Sequence, residues 1–386
     1  MPWKAHPVSQ LRLALAHAVR TANVPVAQAA QRFGVSRKTA FKWLARFDAQ
    51  ADAGAATLDD RSRRPARSPR RTDAALQQLI LDARDRYGWG GRKLRAYLID
   101  QGHGDRLPSA RTAHAILLRN GRVGAKASAD LMPLQHFQRP EPHDLWQADH
   151  KGPVEVARQD RFPLLIEDDC SRFLIALHDC VDKTMALAWK VLWRAFEEFG
   201  LPRAILTDNA FGTTFDVPKT LSWFDAQLVL LGITPIHGRP YHPQTQGKVE
   251  RLNGTLEREA LLNGRVRRDC AQHFAEDLAI FRDLYNHTRP HEALGDKPPV
   301  SRFAKSPRLR PREMPLAESF YPAGSQLRKV NPSGDVRFAG ARILAGRGLV
   351  GQTVRVELRE HELAIFFCCK QIRSIPLERL SFTGML

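Results

Sequence analysis

Almost all of the chain's net charge lies in its first third, and this divides the chain before any element is assigned. Of a formal +18, residues 1–140 hold 25 Lys+Arg against 10 Asp+Glu, residues 141–317 hold 24 against 25, and residues 318–386 hold 10 against 6. A basic arm on a neutral, acid-rich body implies one part that handles a polyanion, joined to another with a different task. At 386 residues the chain has room for two to four domains. Its 43% hydrophobic content supplies packed cores. No apolar run approaches the roughly 20 residues of a membrane helix, and MPWKAHPVSQ lacks a secretory apolar region, so no membrane partner is expected. The five cysteines (Cys170, Cys180, Cys270, Cys368, Cys369) form no CxxC pair. That usage fits a reducing cytoplasm and argues against disulfides or a structural zinc.

The basic arm opens with a helical pattern over residues 9–47. In VAQAAQRFGVSRKTAFKWLARF, Val26, Ala29, Ala30 and Phe33 recur at helical spacing, Gly34 makes a turn, and Ser36 caps a second helix through Ala40, Trp43, Leu44 and Phe47. Two helices about a short Gly-containing turn make a helix-turn-helix, expected over residues 1–56. Its second helix would turn Arg37, Lys38 and Thr39 outward, with Lys42 a turn further on, where such residues reach base edges in a major groove. A plain helical hairpin with a solvated charged face fits the same pattern. Residues 57–72 then place Arg61, Arg63, Arg64, Arg67, Arg70 and Arg71 around Pro65 and Pro69. Such sequence stays extended and suits phosphate tracking or a narrow minor groove, although a solubilising linker has the same composition.

Residues 73–121 read as a second helical DNA-binding module: a helix through LQQLILDARDRY, a short one through RKLRAYL, and a third from Ser109, with Arg111 in its first turn, closed by Gly121. Residues 122–140 read as a linker. From residue 141 strands come first, then helix and strand alternate, which implies a mixed α/β sheet layered with helices over 141–305. TMALAWKVLWRAFEEFG is an amphipathic helix ending at Gly200, LPRAILTDN a strand, LSWFDAQLVLLG a helix and ITPIHG a short strand. Residues 306–317 read as a further linker. Residues 318–386 are β-rich runs broken by Gly, Pro and Asn, a small all-β barrel or sandwich in which the FFCC cysteines are expected to be buried.

Three carboxylates of the middle region stand out by context. In DLWQADHKG, alternation puts Leu145, Gln147 and Asp149 on one strand face and Trp146, Ala148 and His150 on the other. Asp208 ends AILTDN, where open α/β sheets place ligand-binding residues. Glu250 begins the helix KVERLNGTLEREALL, whose stripe Val249, Leu252 and Leu256 is buried while Glu250, Asn253 and Glu257 share a neighbouring face. Two strand carboxylates and one helix carboxylate can hold two hard divalent cations. Such a pair, about 4 Å apart, clamps the attacking and leaving oxygens of a phosphoryl displacement and needs no side-chain nucleophile. Lys248, Arg251 and Arg258 would meet the phosphodiester, and Asn209 would support Asp208 or touch DNA. Forty-one acidic residues offer many other triplets. Asp144, Asp168, Asp169, Glu257, His237 and His242 are the nearest competitors.

WQADHKGP, DDCSRFLIA, LTDNAFGTTF and YHPQTQGKVERLNGTL, in that order, resemble the integrase core of bacterial insertion-sequence transposases of the DDE superfamily. The motifs run through residues 143–260, and the domain order before and after them is also similar. The resemblance implies an RNase H-like fold, with the family's three metal-binding acids at Asp149, Asp208 and Glu250. It also implies Mg²⁺ at two per site (Mn²⁺ substituting), cleavage and joining of the element's terminal inverted repeats to target DNA, and a dimer or higher homo-oligomer on paired ends. There are two departures. Asp208-Asn209 is followed by Ala210 where the family often has Gly, with glycine displaced to Gly212. The 41 residues between Asp208 and Glu250 exceed the 35 common in many relatives, the extra length lying around FDVPKTLSWFD. The first departure keeps open a catalytically silent, sequence-specific DNA-binding regulator. A retroviral-type integrase would carry an N-terminal His/Cys zinc module, and no cysteine precedes Cys170.

Overall fold

The computed structural model describes residues 8–49, 58–60, 71–124, 138–208, 220–238 and 247–379. The chain divides into two compact units, Met1–Arg71 and Thr72–Leu386. Among the described residues no helix is long and apolar enough to cross a membrane.

The first unit is a three-helix module: α1 (Val8–Arg20), α2 (Val26–Arg32) and α3 (Arg37–Asp48). Leu15, Ala16, Ala30, Ala40 and Leu44 form its core. Small alanines at three of these five positions let the helices approach closely. Ser36 Oγ accepts from Thr39 N at 3.1 Å, capping α3 as the sequence implied. Gly34, at φ +65°, turns the chain between α2 and α3.

The second unit begins with α4 (Ala74–Tyr87), α5 (Gly91–Leu98) and α6 (Ala110–Arg119), the last capped by Ser109. Its centre is a five-stranded sheet made from β1 (Trp146–His150), β4 (Leu164–Asp168), β5 (Leu174–His178), β6 (Ala204–Thr207) and β7 (Thr234–His237), in the order β5-β4-β1-β6-β7. The hairpin β2 (Val154–Val156) and β3 (Gln159–Arg161) stands beside it. β5, β4 and β1 are antiparallel, whereas β1, β6 and β7 are parallel.

Alternation along β1 and β4 sends Trp146, Ala148, Leu164 and Ile166 to one face, against α7 (Met185–Phe199) and α8 (Trp223–Leu230). Leu165 goes to the opposite face, which α9 (Gly247–Leu256) and α10 (Ala271–His287) cover with Val249, Leu252, Leu256, Phe274 and Leu278. The helix bearing Glu250 thus lies on the face to which Asp149 points. α9 runs on into a π-helical turn at Glu257–Leu261.

The C-terminal region is all β. A four-stranded antiparallel sheet, β13-β12-β11-β8, joins a two-stranded ladder, β9 with β10. The strands are β8 (Gln326–Lys329), β9 (Asp335–Phe338), β10 (Ala341–Leu344), β11 (Thr353–Leu358), β12 (Glu362–Phe367) and β13 (Lys370–Pro376). This region is packed onto the core rather than tethered to it. α8 serves two cores: Phe224 and Leu228 face the sheet, while Ala226 and Leu230 enter the β region's core.

Residues 306–317, read above as a linker, begin by strapping the two parts together. Ser306 N donates to Phe199 O at 2.8 Å, Leu201 N donates to Arg308 O at 2.7 Å, and Arg308 donates to Pro202 O at 2.6 Å and Gly232 O at 2.8 Å. Gly200, at φ +82°, admits the strap, since a Cβ there would lie 2.8 Å from Ser306 O. The FFCC expectation is corrected in part: Cys368 is buried and Cys369 is exposed, because they sit on the turn between β12 and β13.

Gly348 is the tightest point of this packing. A Cβ would meet Leu221 O at 2.2 Å and Trp223 N at 2.6 Å, both of them backbone atoms. Gly348→Ala is expected to cost about 3 kcal/mol by overpacking. Thermal unfolding should show the fall, and limited proteolysis should show the β region loosened. An unchanged melting temperature would contradict this docking.

Candidate active site

In the parallel ladder Trp146 lies opposite Ile205 and Gln147 opposite Leu206. That register, continued two residues, sets Asp149 level with Asp208, the residue directly after β6. Glu250 comes from the first turn of α9. The buried stripe of that helix turns Asn253 and Glu257 toward β1: Asn253 Nδ2 donates to Asp149 Oδ2 at 2.8 Å, and Glu257 pairs with Lys151 at 2.7 Å.

The three acids share one electrostatic neighbourhood. Burial pushes the Asp149 carboxyl up to about 6, the charge of Asp208 adds to this, and Glu250 adds a smaller push. Hydrogen bonds from the His150 backbone and Asn253 oppose the rise. The carboxylates are within mutual influence but not clenched. Among the described residues the acid, thiol and imidazole atoms gathered within 4.8 Å as a trio are those of Asp269, Cys270 and His273. Local structure explains that trio, since Cys270 caps α10 and Asp269 pairs with His273 at 2.7 Å.

The donor set suits a hard divalent cation. It is all oxygen and carries up to three negative charges, and Lys151 and Lys248 are already paired, Lys151 with Glu257 and Lys248 with Asp169. Asn253 Oδ1, buried beside Asp149, has no hydrogen-bond partner among the described residues.

Lys248 departs from expectation. Its ammonium lies 2.5 Å from Asp169 Oδ1, in a pair whose acid is fully buried, instead of standing free for a phosphate. Asp169 also accepts from Gln147 Nε2 at 2.7 Å and Arg139 N at 2.7 Å. Asp168 is likewise internal, accepting from His143 N, Ser171 N and Ser171 Oγ, and so shapes the turn in which Arg172 takes φ +61°. His237 bridges Asp225 Oδ1 at 3.0 Å and Thr207 Oγ1 at 3.1 Å, which braces the end of β6 beside Asp208. His150 is on the other sheet face, with Nδ1 3.2 Å from Phe162 O. Asn253 is the contact that the sequence did not single out. Its signal was its position three residues after Glu250 on one helical face.

Of the residues expected at DNA, Arg37 and Lys38 are exposed at the start of α3, and Thr39 is half-buried with its hydroxyl 2.9 Å from Ser36 Oγ. Lys42 is exposed, its ammonium 5.2 Å from the Trp43 ring centre, in a stack that also holds Arg12 and Arg46. Arg71, Arg111, Arg251 and Arg258 are exposed. Arg61, Arg63, Arg64, Arg67, Arg70, Asn209, Ala210 and His242 lie outside the described residues.

The module α4–α6 does more than offer a basic helix. Trp89 Nε1 and Lys93 Nζ donate to Glu259 at 3.0 and 3.2 Å, and Glu259 also takes two bonds from Arg289. Burial works against the Glu259 charge, but Arg289 and Lys93 outweigh it and hold the carboxyl down at about 2. The module is thereby fixed to the π turn that continues the Glu250 helix.

Residues 231–299 match the family model described as an integrase core domain. Residues 6–56 and 39–117 each match a homeodomain-like domain. The simian T-cell lymphotropic virus intasome in complex with PP2A regulatory subunit B56 gamma is similar over 79% of this chain and 99% of its own, at 19% identity and a TM-score of 0.38. The HTLV-2 integrase catalytic core domain in complex with magnesium, in its trimeric form, is similar over 43% of this chain and 99% of its own, at 17% identity and a TM-score of 0.33. The family matches thus set two homeodomain-like stretches ahead of a stretch similar to an integrase core domain. That make-up is consistent with an insertion-sequence transposase of the DDE type.

A carboxyl raised from 3.8 to about 6 by folding keeps its proton in the native state after the unfolded chain has lost it. Its contribution to stability is therefore lost as pH rises across that window. Asp149→Asn is expected to remove this loss and to stabilise the protein at pH 8 without added metal, by on the order of 1 kcal/mol after allowance for solvent screening. Parallel melting curves at pH 4 and pH 8 check it. A variant less stable than wild type at pH 8 would contradict the reading.

Proposed function

We propose that the protein is a transposase that binds the terminal inverted repeats of its element and cuts and joins DNA strands at Asp149, Asp208 and Glu250. The observation that carries the reading is the convergence of these acids, level across β1 and β6 and flanked by α9, in a chain with an integrase core match and two homeodomain-like matches. The central sheet, three antiparallel strands followed by two parallel ones, accords with an RNase H-like core. Asp149, Asp208 and Glu250 would hold Mg²⁺, two ions per site with Mn²⁺ able to substitute. Such ions lower the pKa of a bound water or 3′-hydroxyl and offset charge on the phosphoryl oxygens.

The chain's own groups set the stage. Asn253 fixes one oxygen of Asp149. His237 and Asp225 brace the end of β6, and Lys248, held by Asp169, anchors the first turn of α9. Exposed Arg251 and Arg258 on α9 and its continuation would meet the phosphodiester. Arg37, Lys38, Thr39 and Lys42 on α3 and Arg111 on α6 would read or grip the element ends, with the arginines of 61–71 between them. The C-terminal β region, which we read as a small barrel, would add contacts independent of sequence. Joining needs two DNA ends in one complex, which implies a dimer or a higher homo-oligomer.

Purified protein, the DNA ends that flank its gene, Mg²⁺ and a target plasmid test the proposal. Wild type is expected to join the ends, and Glu250→Gln, which keeps shape and removes charge, to lose at least 100-fold. Equal joining by both would sink the assignment of Glu250. Binding of the ends without joining by either would favour a catalytically silent DNA-binding regulator. Arg37→Ala is expected to weaken binding of those ends by on the order of 1–2 kcal/mol while leaving the fold intact.

A further inference from the structure

Glu167 on β4 is 3% exposed. Its Oε1 accepts from the Tyr285 hydroxyl at 3.4 Å, and its Oε2 has no partner among the described residues. Directly across the ladder is Gln147 on β1, also 3% exposed. Gln147 Nε2 donates to Asp169 Oδ1, which settles the amide's orientation, because a carboxylate needs the NH₂ end. That leaves Gln147 Oε1, and it too has no partner among the described residues. Two opposed buried residues thus each carry an orphan acceptor. Buried acceptors are seldom left unpaired, since each costs about 1–3 kcal/mol. Side chains directly opposite on one sheet face are close enough to meet, so a single proton on Glu167 Oε2 would satisfy both by letting the acid's O–H donate to Gln147 Oε1.

We infer that Glu167 works as a neutral carboxylic acid and as a positioning residue for Glu250, through the buried relay Tyr285–Glu167–Gln147–Asp169–Lys248. The remaining links are hydrogen bonds of the structure. Gln147 holds Asp169, and Asp169 holds Lys248 in the first turn of α9, two residues before Glu250. The electrostatics agree. Burial is the main force that pushes the Glu167 carboxyl up, to about 7, and Asp169 adds to it. Arg172 on the turn after β4, Lys248 on α9 and the Tyr285 hydroxyl on α10 pull the other way. The positioning role rests on the proposed function. The protonation does not.

Two variants separate the possibilities. Glu167→Gln supplies an NH₂ for Gln147 Oε1 and an oxygen for Tyr285, so it imitates the neutral acid. Glu167→Leu leaves both partners bare. The infrared difference between wild type and Glu167→Gln at pH 6, without DNA, is expected to hold a protonated-carboxyl band, since the contribution of Asp149 is common to both and cancels. Folding raises this carboxyl from 4.5 to about 7, so wild type should lose stability as pH rises through that window and Glu167→Gln should lose less, keeping the share that Asp149 contributes. In strand joining at neutral pH, Glu167→Gln is expected within about twofold of wild type and Glu167→Leu more than tenfold below it.

Absence of the infrared band, or a Gln variant as damaged as the Leu variant, would overturn the inference. If wild type joins no DNA the transposase reading fails, while the band and the split in stability between Gln and Leu still decide the state of Glu167.

Discussion

Asp149 and Asp208 stand side by side because β1 and β6 run parallel at the centre of the sheet, in a register that sets residue 149 level with residue 208. The rest of the site depends on that pairing. A slip of one residue would turn Asp149 to the face packed by α7 and α8, where Trp146 and Ala148 are buried in hydrocarbon. The register is held from both flanks. β1 pairs antiparallel with β4 over five residues, and β6 pairs with β7 over four. The carboxylates can therefore be brought into mutual repulsion, because the strands beneath them have no freedom to part.

A second level of order holds the third acid. α9 has a modest apolar stripe, and its start is fixed by charge: Lys248 on Asp169, with Asp169 itself held by Gln147 and the Arg139 backbone. Its far end is fixed through Glu259, which gathers Trp89, Lys93 and Arg289. Buried ion pairs are weak sources of net stability but strong constraints on geometry once formed, since removing one partner strands the other charge. In this chain they pin both ends of the helix that carries Glu250, and the second end ties that helix to the module α4–α6.

The sequence was most legible where local rules apply. Ser36 and Ser109 cap the helices they precede, α7 stops at Gly200, and Val249, Leu252 and Leu256 are buried as their spacing implied. Alternation along WQADH separated the faces of Asp149 and Trp146 correctly, and with them the side that α9 would occupy. It was least legible where partners are distant in the chain. Lys248 read as a phosphate contact because its neighbours are cationic, yet its partner Asp169 lies 79 residues away. Trp89 gave no hint of Glu259, 170 residues on. Residues 306–317 have the Pro and Arg content of a linker, and nothing local revealed that Arg308 would bond to Pro202 and Gly232. Periodicity reports which face is buried, not what covers it.

The proposed function requires one oxygen-ligand metal site built from Asp149, Asp208 and Glu250. Anomalous diffraction from crystals soaked in Mn²⁺ tests it most directly. The account predicts manganese peaks bounded by Asp149, Asp208 and Glu250, absent from crystals of Asp208→Asn. Ordered crystals with no manganese at these acids, or with manganese at Asp269, Cys270 and His273 instead, would contradict it.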